Sequence, residues 1–244
     1  MVSRIERSSS QADAYSDVAP CQMTDATHIY HALLARHGEP NWWPARTPYE
    51  VIVGAVLTQN TAWANVEKAI ANFCDDLTPR RIALMGADEL MQLIRPAGFF
   101  VQKAATLKAV TSWLATYGDS VGTVQAQPLP RLRRELLAIK GVGPETADAI
   151  LLYAFGFAVF VVDAYTMRLC QRYPLEAGNT YASAQAYFEA ALPVDVAVYN
   201  RLHALIVINA KQHCRKRPKC DGCPLVDGCA SVTPGAPATR ASAS

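Results

Sequence analysis

Apolar positions recur every three to four residues through most of this chain, the spacing that lines one face of an α-helix. The pattern predicts helices in VIVGAVL (51–57), AWANVEKAIANF (62–73), VQKAATLKAVTSWLATYG (101–118), LPRLRRELLAIK (129–140), PETADAILLYAF (144–155), AQAYFEAAL (184–192) and VAVYNRLHALIVINAKQHC (196–214). Start signals agree. Thr47-Pro48-Tyr49-Glu50 reads as a capping box with proline at the first helical position. Thr61 stands where it would cap the next helix, and Thr78-Pro79 and Ala87-Asp88 open two more. The β-branched run AVFVV (158–162) is a strand candidate, but one strand makes no sheet. No internal repeat is evident. The predicted class is all-α, with many short helices. Residues 1–25 are polar and patternless, and the tail 231–244 is low-complexity Ala/Ser/Pro/Thr; both are expected to be loose.

Composition narrows this further. A chain of 244 residues can build one large core or two modest ones. The formal net charge of +2 gives no global case for a polyanionic partner, so any such case must rest on local patches. No apolar run reaches the ~20 residues of a membrane span, and the N-terminal stretch lacks the apolar core of a signal peptide. A cytosolic setting is the expectation, in which cysteines are thiols or metal ligands before they are disulfides.

Four of the seven cysteines, Cys214, Cys220, Cys223 and Cys229, fall in one C-x5-C-x2-C-x5-C loop, while Cys21, Cys74 and Cys170 stand apart as plain thiols. Four thiolates this close suit a [4Fe–4S] cluster. Zinc is the rival, although its sites use two separated C-x-x-C pairs and only one occurs here. Lys211, Arg215, Lys216, Arg217 and Lys219 crowd the same stretch. They either face phosphates or offset an anionic cluster, and both readings stand. Upstream, IKGVGPETADAI places Gly141 and Gly143 between two helical segments. Such a turn reads as an αα-hairpin, with glycine backbone open to close approach by a partner and a helix start able to receive an anion. Asp163, at the end of FAVFVV, is a helix N-cap, a carboxylate in a cleft, or both.

Together these residues resemble the endonuclease III, or helix-hairpin-helix (HhH-GPD), superfamily of DNA glycosylases. The resemblance runs from about Tyr30 to Cys229 and rests on LTQNTAW (57–63), RPAGFFVQKA (95–104), IKGVGPETADAILLYA (139–154), VVDAYTMR (161–168) and the four cysteines. One departure is the first cysteine gap, five residues where the family has six. The resemblance implies two helical domains: a barrel over 47–159 carrying the hairpin, and an iron–sulfur domain built from 26–46 and 160–230. It implies double-stranded DNA with a damaged base as the partner, bound in the groove between them by a monomer of cytoplasmic, nucleoid-associated location. Lys140, Gly141, Val142 and Gly143 would grip the backbone, with Arg215, Lys216 and Arg217 beside the cluster. Gln59 and Phe99 would fill the gap left by an extruded base; the bland alternative for Phe99 is a core aromatic.

Strand-cutting relatives carry a lysine two residues after the second glycine, where its amine forms a Schiff base. Here that residue is Glu145, which cannot, so a monofunctional enzyme is expected. Asp163 would then stabilise the positive sugar or activate water. Trp42, Trp43 and Trp63 flank the expected base pocket, together with Glu145. Tryptophan faces attract cations, and N-alkylated purines such as 3-methyladenine are cationic. The WWP, LTQNT-x-aromatic and G-x-G-x-E-[ST]-A-D-A-I patterns resemble the 3-methyladenine branch, in which aromatics at the positions of Trp42 and Trp63 sandwich the base and Trp43 supports them. That branch can lack the cluster, so an oxidised-pyrimidine or mismatch specificity stays open. A non-catalytic binder of damaged DNA also stays open, and the tryptophans could instead simply pack an interface.

Overall fold

The computed structural model describes residues 25–40 and 42–232. Cys21, the arm expected over 1–25 except Asp25, and the tail from 233 onward lie outside the described residues. Twelve α-helices are present among those described: α1 (Asp25–His37), α2 (Pro48–Leu57), α3 (Trp63–Ala71), α4 (Pro79–Leu84), α5 (Ala87–Leu93), α6 (Phe100–Ala115), α7 (Val121–Gln125), α8 (Leu129–Leu137), α9 (Pro144–Ala149), α10 (Ala164–Arg172), α11 (Tyr181–Ala191) and α12 (Val196–Gln212). No strand occurs among them, in keeping with the all-α expectation.

Helix α2 is apolar on every side and buried from Tyr49 to Leu57, as a helix at the centre of a core must be. Around it pack α3, α6, α9 and the π-helical turn Ile150–Ala154 that continues α9, with α4 and α5 on α6. A second group forms where α12 packs on α1 and α10, and α11 touches both of these. The π-turn meets α12, and hydrogen bonds from α11 to a buried carboxylate of α9 join the groups more firmly. Asp148 of α9, 0 % exposed, accepts from Arg133 of α8 and from Tyr181 and Gln185 of α11.

Local expectations hold with three corrections. Thr47 caps α2 by accepting from the Glu50 amide at 3.1 Å. The reciprocal half of the box is missing, because the Glu50 carboxylate turns to Arg46, 3.3 Å from its Nε. Thr61 caps nothing: Ala62 holds the N-cap position of α3 without a side-chain bond, and the Thr61 hydroxyl donates to Ala97 O at 2.5 Å. AVFVV is extended but unpaired with any strand. Helix α11 satisfies it instead, Glu189 accepting from the Phe160 amide (2.9 Å) and Gln185 donating to the Phe160 carbonyl (2.7 Å). No helix among the described residues is long and apolar enough to cross a membrane.

Candidate active site

Asp163 is both of the things its sequence position allowed. It is the N-cap of α10, its Oδ1 accepting from the Thr166 amide (2.7 Å) and hydroxyl (3.0 Å). Oδ2 remains, with Nε2 of His203 (α12) 3.7 Å away, beyond hydrogen-bond length but within ion-pair reach. His203 is 4 % exposed, and its Nε2 has no hydrogen-bond partner among the described residues. Its other nitrogen, Nδ1, lies 2.5 Å from the Tyr153 hydroxyl. A tyrosine donating there leaves the proton on Nε2, facing Asp163. Burial pushes the Asp163 carboxyl up, but His203 and the Thr166 donors outweigh it and hold its pKa below the usual range. Glu145 moves the other way. It is exposed at the rim, yet desolvation of its inward side and the Asp163 charge raise it, against a smaller pull from His203. The two carboxyls are thus driven apart, Asp163 toward its anion and Glu145 toward its protonated form.

Aromatic rings adjoin this pair. Trp43 stacks on Tyr153 (centroids 4.9 Å apart, 26° between planes) and meets Trp63 edge to face at 5.5 Å. Trp42 stands edge-on to His203 at 6.1 Å, with the Lys211 ammonium 5.8 Å from its ring. Trp42, Trp43 and Tyr153 line a cavity with Arg46 and Asn200. Among the described residues, no hydrogen-bond acceptor meets the buried indole nitrogens of Trp42 and Trp43 at good geometry. Gly54, in the middle of α2, makes the ring pair possible: a Cβ there would lie 3.3 Å from Trp43 Nε1 and 3.5 Å from Trp63 Cη2.

The hairpin and two loops form the rim. Gly141 has φ +92°, and a Cβ on it would fall 2.2 Å from the Thr106 hydroxyl, so no other residue fits. Gly143 is extended, with open space beside it; nothing inside the chain demands glycine there, whereas a partner approaching from outside would. Val142 turns inward, its amide donating to Ile139 O at 3.0 Å, so it braces the turn from within. Lys140 is exposed. Gln59 donates to Gly141 O (2.9 Å) and Thr146 Oγ1 (2.8 Å), tying its loop to the hairpin. Phe99 is 64 % exposed, which removes the core-aromatic alternative. Trp43, Asn60 and Phe99 all have left-handed backbone (φ 57°, 51° and 46°), a conformation held against strain that clusters at working sites.

The profile of the HhH-GPD superfamily of base excision DNA repair proteins matches residues 53–217. The chain belongs to that superfamily. Among relatives of this glycosylase, a candidate DNA repair glycosylase of Methanocaldococcus jannaschii is 47 % identical over 208 residues, covering 83 % of this chain and 94 % of its own. Endonuclease III of Haemophilus influenzae is 26 % identical over 204 residues, covering 81 % and 92 %. Among solved structures, the H. pylori 3-methyladenine DNA glycosylase bound to 1,N6-ethenoadenine superposes with a TM-score of 0.68 at 29 % identity, covering 78 % of this chain and 98 % of that one. A non-covalent endonuclease III–DNA complex gives 0.69 at 23 % identity, covering 85 % and 96 %, and shows the shared fold.

The four loop cysteines of this HhH-GPD protein line one pocket with Leu169, Tyr173, Asn209 and His213. Arg172 Nη1 donates to Cys214 Sγ at 3.3 Å, and Asn209 Nδ2 lies 3.9 Å from Cys223 Sγ. Donors aimed at sulfur suit thiolates. Burial pushes the Cys223 thiol up, and hydrogen bonds from the Leu225 backbone and Asn209 offset part of the rise. Among the described residues no three His, Cys, Asp or Glu side chains converge closely enough for a single ion. Four thiols lining one pocket, with N–H donors on two of the sulfurs, are a donor set of the kind a four-thiolate metal group uses. Arg215, Lys216 and Arg217 are exposed and do not line this pocket, while the carbonyls of Arg215 and Lys216 accept from Arg172 at 2.7 and 3.0 Å.

His203 and Tyr153 are absent from the sequence reading. Each occupies a helical position between apolar residues, where a core histidine or tyrosine would look the same. Gly54 carried a usable signal, since a glycine inside an otherwise apolar helix costs about 1 kcal/mol against alanine and so implies a close neighbour.

Proposed function

We propose that this DNA glycosylase is monofunctional, extrudes an alkylated purine such as 3-methyladenine from double-stranded DNA, and hydrolyses its N-glycosidic bond. The observation that carries the reading is an ionised Asp163 beside an aromatic enclosure, with a carboxylate and no amine at residue 145. The base would stack between Trp42 and Trp63, with Trp43 and Tyr153 behind and Glu145 at the rim. An alkylated purine already carries positive charge and leaves readily, so ring faces serve it better than a strong general acid. As the bond breaks, charge develops on the sugar. Oδ2 of Asp163 stabilises that charge or takes a proton from the attacking water, while Thr166 and His203 hold the carboxylate in its ionised form. The likeness to the H. pylori 3-methyladenine glycosylase supports this choice of lesion.

The hairpin 140–143 would lie against the phosphate backbone, with Gln59 and Phe99 filling the vacated stack. The two helical groups would form the walls of the DNA groove, divided as 47–159 against 26–46 with 160–230. A [4Fe–4S] cluster would be held by Cys214, Cys220, Cys223 and Cys229. When bound it would cross-link this loop and fix Arg215, Lys216 and Arg217 as a rigid cationic edge for phosphates. The four cysteines and the endonuclease III relatives favour a second reading, a glycosylase for oxidised pyrimidines or mismatched bases.

The deciding experiment is base release from methylated duplex DNA, resolved by chromatography. Wild type should release 3-methyladenine or 7-methylguanine, and Asp163→Asn should bind damaged DNA but release nothing. Release only from oxidised or mismatched duplexes would establish the second reading. Borohydride treatment during turnover should trap no covalent adduct, and a robust adduct would overturn the monofunctional assignment.

A further inference from the structure

Lys103 has no role in the chemistry above, yet it is 3 % exposed, and no carboxylate pairs with it among the described residues. Burying an ammonium without a counter-ion is costly, and a leucine on this face of α6 would pack without that cost. What the lysine supplies is three donors, and each has an acceptor: Leu57 O at 2.8 Å, Ala97 O at 2.9 Å and Thr61 Oγ1 at 3.1 Å. These acceptors belong to two separate loops. Leu57 is the last residue of α2, Thr61 lies four residues on, and Gln59 sits between them. Ala97 ends the 3-10 turn Arg95–Ala97, two residues before Phe99. Both carbonyls lie at helix C-termini, the negative ends that favour a cation. Thr61 closes the ring by donating to Ala97 O. The Phe99 ring lies over the same ammonium, 6.0 Å from its centroid.

We propose that Lys103 is a positioning residue that locks the Gln59 loop and the Phe99 loop into one unit, so that both side chains enter the duplex together when a base is extruded. The proposal rests on the reading of Gln59 and Phe99 as stack-filling residues. It accounts for the left-handed backbone at Phe99 (φ 46°), a conformation unfavourable for a bulky residue. It also accounts for Thr61, whose hydroxyl is drawn from helix capping into the ring. Burial lowers the Lys103 pKa, while carbonyls at two helix ends accept from its amine.

The test uses full-length, cluster-loaded protein. Lys103→Met keeps the stem and removes all three donors, Lys103→Arg keeps the charge, and Thr61→Val breaks one side of the ring while leaving the lysine. Base extrusion is followed by stopped-flow fluorescence of 2-aminopurine beside the lesion. Single-turnover excision is measured on a fully paired duplex and on the same lesion in a bulge, where the base is already unstacked. The proposal expects Lys103→Met and Thr61→Val to slow extrusion and duplex excision by roughly five- to fifty-fold, the range of contacting residues that act together. Excision from the bulge should stay within about twofold, and Lys103→Arg should recover part of the loss. Phe99→Ala should cost less in the Lys103→Met background than in wild type. Equal slowing on duplex and bulge would mean a general structural role and overturn the proposal. If Phe99→Ala and Gln59→Ala impair extrusion while Lys103→Met and Thr61→Val do not, the clamp fails and the stack-filling reading survives. If Phe99→Ala and Gln59→Ala leave extrusion unchanged, both fall together.

Discussion

The buried Asp148 carboxylate accepts four hydrogen bonds among the described residues, so its replacement has a calculable cost. Oδ1 accepts from Arg133 Nε at 2.7 Å, and Oδ2 accepts from Arg133 Nη2 (3.0 Å), Tyr181 OH (2.8 Å) and Gln185 Nε2 (2.8 Å). Asp148 is fully buried, while the Arg133 side chain is 31 % exposed. Asp148→Asn preserves shape but removes the charge and turns an amide N–H toward one of those donors. Breaking a buried pair from one side costs about 3–5 kcal/mol, because the partner's charge is left uncompensated. Arg133 keeps some solvent, which places the expectation at the lower end, about 3 kcal/mol. For a chain of this size that is a fall of roughly 6–12 °C in thermal midpoint. Calorimetry or thermal fluorescence on the full-length protein measures it. Tyr181 stays a donor throughout, since burial and the Asp148 charge both push its hydroxyl far above the ordinary tyrosine value. Replacing both partners by apolar residues, Arg133→Met with Asp148→Leu, should recover part of the loss. A single Asp148→Asn variant within about 1 kcal/mol of wild type would refute the reasoning, and the clamp between the two helical groups with it.

Three further outcomes follow from single residues. Gly54→Ala should leave stability within about 1 kcal/mol, because the helix-propensity gain offsets the crowding; kcat/KM should still fall as the methyl displaces the Trp43–Trp63 pair, and unchanged kinetics would unlink that pair from the site. Burial pushes the Cys170 thiol up to about 11, so at pH 8 only about 0.1 % is thiolate; in native protein a thiol reagent should label exposed Cys74 quickly and Cys170 only on unfolding, and equal rates would contradict the burial. Asp163 has a depressed pKa, so its charge contributes stability above the unfolded value of about 3.9 and loses that contribution as pH falls through the folded value. The unfolding free energy of wild type should therefore drop below about pH 4 by more than that of Asp163→Asn, and parallel curves would show that the carboxylate is not held ionised.

What the sequence revealed and what it hid divide along a physical line. The hairpin, the cysteine loop and Asp163 were legible because each is local. Gly141 is required by its own backbone angle, the cysteines by their mutual spacing, and Asp163 by the helix it caps. The helices were legible where periodicity governed, and their ends failed where a distant partner intervened. Thr61 has the residue type and position of a cap, but the acceptor that captures its hydroxyl is Ala97 O, 36 residues away. AVFVV has strand composition, but its backbone is satisfied by side chains of α11.

The same division explains why the residues packed around Asp163 stayed hidden while Asp163 did not. His203 and Tyr153 act through one hydrogen bond between residues 50 apart in the chain, and neither has a neighbour that marks it. Lys103 and Lys108 look alike along the pattern of α6. Lys108 reaches helix-end carbonyls within one packed pair, Ile82 O and Ala83 O near the end of α4, whereas Lys103 bridges two loops that face the solvent. Only the fold separates a lysine that steadies one packed helix pair from one placed where two exposed loops meet. Residues that do chemistry must present a particular group and so leave a trace in sequence. Residues that hold them in place need only the right distance, which sequence does not record.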